Sequence, residues 1–106
     1  MTPVCLFAID CDGFTKTVTA QFERGSLVVS SHASDTDGYN RDYQLRVAPA
    51  DIATLADALE LRRVTERRIV KALEQRFNFL AADAKLEQFL RDAQIPVDGG
   101  GYTRFP

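Results

Sequence analysis

One histidine and two cysteines are all that this 106-residue chain offers as soft metal ligands. His32, Cys5 and Cys11 cannot complete a structural zinc site of the usual Cys/His type, and neither a metal nor another cofactor is expected. No apolar run approaches the roughly 18 residues that a membrane helix needs. The N-terminus, MTPVCLFAID, has no basic stretch before its short apolar run and does not read as a signal peptide. A cytoplasmic location is the resulting expectation. With residues 4–10 extended, the two cysteines stand about 20 Å apart at about 3.3 Å per residue, whereas a disulfide needs Cα atoms within about 7 Å. Two free thiols are expected, with Cys5 buried in its apolar run.

The chain has a single-domain length and an uneven charge distribution. Up to Glu60 nine acids face four bases, a balance of −5; beyond it nine bases face six acids, a balance of +3. This predicts a dipolar molecule with an acidic first half and a basic second half.

The first half carries strand patterns. Val4–Asp10 is a short apolar run. Phe14, Val18, Ala20 and Phe22 alternate with Thr15, Thr17, Thr19, Gln21 and Glu23. Arg24-Gly25-Ser26 reads as a turn, Leu27–His32 as a third strand, Ala33–Asn40 as a polar loop, and Tyr43, Leu45 and Val47 mark a fourth strand. Helical spacing takes over in the second half. Pro49 suits a first helical turn before Ile52, Leu55, Ala56 and Leu59. Thr65 is the expected N-cap of a second helix, with Val64 stapled to Ile69 and Asn78 at its end. Asp83 is the expected cap of a third helix, which turns Leu86, Phe89, Leu90 and Ala93 inward and stops at Pro96. Strands first and helices after predict an α+β fold: a four-stranded antiparallel sheet packed by two to three helices. One domain over 1–98 and a glycine-rich aromatic tail over 99–106 are expected. The expected core includes Leu6, Ala8, Phe22, Leu45, Leu55, Leu73, Phe77, Phe89 and Leu90.

Several motifs invite a chemical reading. Asp10-Cys11-Asp12-Gly13 after an apolar run is similar to the nucleophile strand of haloacid dehalogenase phosphatases, with Asp10 and Asp12 as the phosphoryl-transfer pair. Phe14 stands where that pattern has threonine, and a period-two strand comes directly after Gly13, so a hairpin turn is the better reading. Asp35-Thr36-Asp37-Gly38 suggests calcium, but with Gly38 at the sixth loop position Ala33 and Gln44 fall where an EF-hand needs carboxylates. His32 lies among Ser30, Ser31 and Ser34. Neighbouring strand residues point to opposite faces and no glycine elbow is present, so a surface residue at a strand end is expected. Arg62, Arg63, Arg67, Arg68 and Lys71 form the densest basic group. Nucleic-acid binding there is the alternative function, though no aromatics interleave with it and no recognition motif accompanies it. No catalytic residue is expected, and the chain reads as a non-enzymatic protein-binding module.

Three stretches, "VAPADIATLADAL" (47–59), "IVKALEQRFN" (69–78) and "LEQFLRDAQIPV" (86–97), come after a variable strand-rich half. In this arrangement the chain resembles small bacterial immunity proteins of toxin systems, including contact-dependent growth inhibition. The resemblance covers about half the chain and transfers no site residue. It implies a cytoplasmic protein that binds a toxin domain. Many such domains are basic, and an acidic surface steers association with a basic partner. The candidate partner-binding residues are Glu23, Asp35, Asp37, Tyr39 and Asp42, on or near the long loop. In the tail, Gly99-Gly100-Gly101 is expected to be flexible. Tyr102 and Phe105 are expected to be anchored along a sheet edge or against a second copy, the latter giving a homodimer through the tail.

Overall fold

A computed structural model describes residues 3–38, 40–79 and 81–104, the last seven of them as backbone. Five strands form one sheet in the order β1-β2-β3-β4-β5: β1 (Val4–Cys11), β2 (Phe14–Glu23), β3 (Ser26–Ser34), β4 (Asn40–Val47) and β5 (Asp98–Arg104). All neighbours are antiparallel. Between β4 and β5 the chain makes a 3₁₀ turn at Pro49–Asp51 and three helices, α1 (Ile52–Ala58), α2 (Glu66–Arg76) and α3 (Ala82–Asp92). The α+β fold is therefore present, with its four-stranded antiparallel sheet in the N-terminal half and its helices in the C-terminal half. A fifth strand extends that sheet, and Gly99–Gly101, expected to be flexible, lie within it opposite Leu45, Gln44 and Tyr43. Without side chains they permit extended pairing as readily as a loop, and β4 supplies an open edge. Phe105 lies outside the described residues.

The helices cover one face of the sheet. Val18, Ala20 and Phe22 of β2, Leu27 and Val29 of β3, and Leu45 and Val47 of β4 meet Leu55, Leu59, Ile69, Leu73, Leu86 and Leu90 in one core. β2 and β4 contribute every second residue, as a sheet with one solvated face requires, while β3 buries Ser26–Val29 in succession. A bulge corrects the sequence reading of β1. Cys5 pairs with Thr19 and Phe7 with Val18, leaving Leu6 as the extra residue. The register slips by one, which turns Phe7 towards the core and Ala8 out to solvent. Ala8 thus leaves the expected core, and Cys5 is exposed rather than buried. Both cysteines are free and exposed.

Thr65 caps α2 as expected, its Oγ1 accepting the Arg68 N–H at 3.2 Å. Val64 remains 54% exposed, so the hydrophobic staple to Ile69 adds little. α2 ends at Arg76, two residues before Asn78, with Phe77 as its C-cap. Phe77 meets the edge of the half-buried Phe89 ring at a centroid distance of 5.7 Å, tying α2 to α3. α2 lies over β1 and β2, and α3 over β3.

Leu73 is fully buried at the centre of this layer. Leu73→Ala is expected to cost about 2–5 kcal/mol, read as a fall in the thermal midpoint of roughly 8 °C or more for a domain of this size. An unchanged melting curve would contradict the packing of α2.

Candidate partner-binding site

Two adjoining turns gather acidic residues at one end of the sheet. Asp12 and Gly13, with φ of 51° and 80°, make the tight hairpin turn between β1 and β2. The β3–β4 loop sits against it: a Cβ added at Gly13 would fall 2.1 Å from Thr36 Cγ2, so only glycine permits this approach. Within that loop the Asp37 N–H donates to Asp35 Oδ1 at 2.9 Å, closing an Asx turn. Asp12, Asp35 and Asp37 therefore lie on neighbouring turns, with Asp10 near the end of β1 beside them. Asp10 pairs with Thr15 in an antiparallel hairpin, not at the end of a parallel strand. Among the described residues no three His, Cys, Asp or Glu side chains stand close enough to share a metal ion.

The uncovered face of the sheet carries Thr17, Thr19, Ser30, His32, Asp42 and Gln44 around a shallow depression of about 370 Å³. His32 stands within β3, not at a strand end, in register with Thr17 on one side and Asp42 on the other. Its Nδ1 is hydrogen-bonded to Asp42 Oδ1. The serines expected around it are engaged elsewhere. Ser30 accepts from Gln44 Nε2 at 3.3 Å, Ser34 shares a 2.7 Å hydrogen bond with Thr15, and Ser31 points to the helical side. Glu23 is at the opposite end of β2, about 30 Å from the acidic turns at about 3.3 Å per residue, where it pairs with Arg46 at 3.3 Å. The sheet thus brings Asp35, Asp37 and Asp42 together but separates Glu23 from them. Tyr39 lies outside the described residues.

A second polar group lies on the helical side, where the sequence reading placed no function. Lys16 Nζ donates to Asp83 Oδ1 at 3.0 Å, and Ser31 Oγ donates to Asp83 Oδ2 at 3.1 Å. Asp83 is only 7% exposed. It is not the N-cap of α3 that its position in the sequence predicts: Ala81 occupies that place, without a side-chain cap. Asp83 lies one residue inside the helix, and Oδ1 also accepts the Ala84 N–H at 2.9 Å. Sequence does hold a signal for this cluster: Lys16 is in phase with Val18, Ala20 and Phe22, and Ser31 with Leu27 and Val29. Polar residues at two adjacent core-facing positions require a buried partner. Beside them a cavity of about 250 Å³ is lined by Lys16, Arg41, Tyr43, Asp83, Ala84 and Glu87. The Tyr43 hydroxyl is buried there without completing a hydrogen bond, although the Glu87 carboxylate is near enough to influence it.

Arg62 and Arg63 precede α2, while Arg67, Arg68 and Lys71 lie along it, and all five are exposed. The inward stripe of Ile69, Val70 and Leu73 faces the sheet, so the basic group forms the outer surface of the helical layer. No helix is long and apolar enough to cross a membrane, among the described residues. Compared with family models, curated proteins and solved structures, the chain shows no match.

The buried polar group makes stability depend on pH at both extremes. Burial alone would raise the Asp83 carboxyl, but Lys16, the Ala84 N–H and Ser31 outweigh it and hold the group below its usual 3.8. A lowered folded-state value contributes stability above the unfolded value, which is lost as pH falls through the folded one. Burial, then the charge and acceptor oxygens of Glu87, push Tyr43 from 10.0 up to about 12. A raised value contributes stability below the unfolded value, lost as pH rises from about 10 through about 12. Urea unfolding across pH is expected to show an acid slope reduced in Asp83→Asn and an alkaline slope reduced in Tyr43→Phe. Slopes unchanged by both variants would contradict this assignment.

Proposed function

We propose that the chain is a non-enzymatic protein-binding module that neutralises a bacterial toxin domain in the cytoplasm, as an immunity protein does. The observation that carries this reading is the acidic turn end, where Asp12, Asp35 and Asp37 stand on two adjoining turns and Asp10 lies in β1 just before the first of them. Loops held on a rigid sheet are common recognition surfaces. Clustered charge of one sign accelerates encounter with an oppositely charged partner. The adjoining open face adds hydroxyl and amide groups that suit the polar rim of an interface. The resemblance of residues 47–97 to immunity proteins supports the same direction.

No catalytic role enters this proposal. His32 has an orienting carboxylate in Asp42, but the serines beside it are bonded to other groups. The exposed basic face supports a second reading, in which Arg62, Arg63, Arg67, Arg68 and Lys71 hold a nucleic-acid backbone. Salt-sensitive retention on RNA, lost when Arg67 and Lys71 are replaced by Gln, would favour that alternative.

The test uses the C-terminal domain of a secreted protein encoded beside this chain. Co-expression is expected to relieve growth inhibition by that domain. Asp12→Asn with Asp37→Asn keeps the turn geometry and is expected to slow association about tenfold at low salt, with the difference shrinking at high salt. Absence of such a neighbour, failure to form a complex, or association rates indifferent to these charges would overturn the proposal.

A further inference from the structure

The two edges of the sheet differ. The β1 edge is bulged at Leu6, bears the exposed Asp10 and lies under α2. Bulges and charges are devices that discourage further pairing. The β5 edge is seven residues long, paired to β4 on one side, and begins with three glycines after Asp98. Glycines place no side chain beside the backbone donors and acceptors of an edge.

The sequence of β5, Asp98-Gly-Gly-Gly-Tyr-Thr-Arg104, is also complementary to itself when reversed. With Gly101 at the centre, Asp98 and Arg104 lie three positions away on either side. We infer that β5 pairs with β5 of a second copy, antiparallel about a two-fold axis at Gly101. In this register Asp98 stands opposite Arg104 of the second copy, and the reverse pairing occurs at the other end. Opposite charges directly across antiparallel strands attract. Gly100 then stands opposite Tyr102 of the second copy, an aromatic position facing a glycine, which favours strand pairing. Moving the axis to Gly100 or Tyr102 removes both charge pairings, so the ends of the strand select one register.

Such an interface is isologous and closes at two copies. The axis stands perpendicular to the sheet, because residues opposite one another across an antiparallel pair share a face. Two five-stranded sheets become one of ten strands, with both helical layers on one side. The two uncovered polar faces become continuous on the other side, doubling the surface around His32 and Gln44.

Sedimentation equilibrium of the full chain tests this arrangement. A mass of twice 11.8 kDa, reached with rising concentration, is expected. Asp98→Arg and Arg104→Asp, prepared separately, should each weaken self-association at least tenfold, since each places like charges opposite one another. Mixing the two variants restores complementarity at both ends and should give a heterodimer. The mixture also separates this mechanism from loss of β5 within the chain, because a detached strand would not recover on mixing. A monomer at all accessible concentrations, a dimer indifferent to both substitutions, or no heterodimer on mixing would each overturn the inference.

Discussion

The Lys16–Asp83 ion pair sets the relation between the two layers of this protein. Its partners come from β2 and the first turn of α3, 67 positions apart, and Ser31 of β3 completes the carboxylate's coordination. Both charged side chains are largely withdrawn from water, with 14% and 11% of their surfaces exposed. Buried charges are tolerated when paired and hydrogen-bonded, and each becomes costly if its partner is removed. Seating α3 anywhere else would leave Lys16 buried on an apolar face. The pair therefore fixes α3 over β3 and closes the helical side of the sheet near Tyr43. All three helices are committed to that side, so the opposite face stays open.

The fold is legible where periodicity is simple. β2 reads as alternation from Val18 to Phe22, and α2 as a capped stripe from Thr65 to Phe77, because each has one buried face. In β1 the alternation misplaces Ala8, because a one-residue bulge at Leu6 reverses every later side chain and nothing in VCLFAID announces it. Cys5, before the bulge, is exposed because it stands on the outer face, which its apolar neighbours conceal. The tail is legible in the alternation of Tyr102-Thr103-Arg104 but not in its three glycines, which carry no pattern. Strand pairing of glycine is decided by the neighbouring edge, not by the residue.

The sites are less legible, for a related reason. Asp35, Asp37 and Asp42 are close in sequence and remain close in the fold. Glu23 shares their charge but lies an entire strand length away. The joining of Asp10 and Asp12 to that group depends on Thr36 resting against Gly13, a contact between turns that local sequence does not encode. Asp83 has the sequence position of a helix cap because an acid at a helix start usually is one. Its actual role depends on Lys16, which alternation places on the core side.

The open face of the sheet lies opposite the helical layer, so the proposed reading assigns recognition to the sheet and stability to the core and its buried ion pair. A double-mutant cycle on Lys16→Met and Asp83→Leu tests that division most directly, read by equilibrium unfolding in urea. Each single substitution strands the other charge and should cost about 3–5 kcal/mol. The double variant should cost well below their sum, with a coupling of roughly 2 kcal/mol or more. Strictly additive losses would contradict the account, because they would mean that α3 is held on the sheet by apolar packing alone.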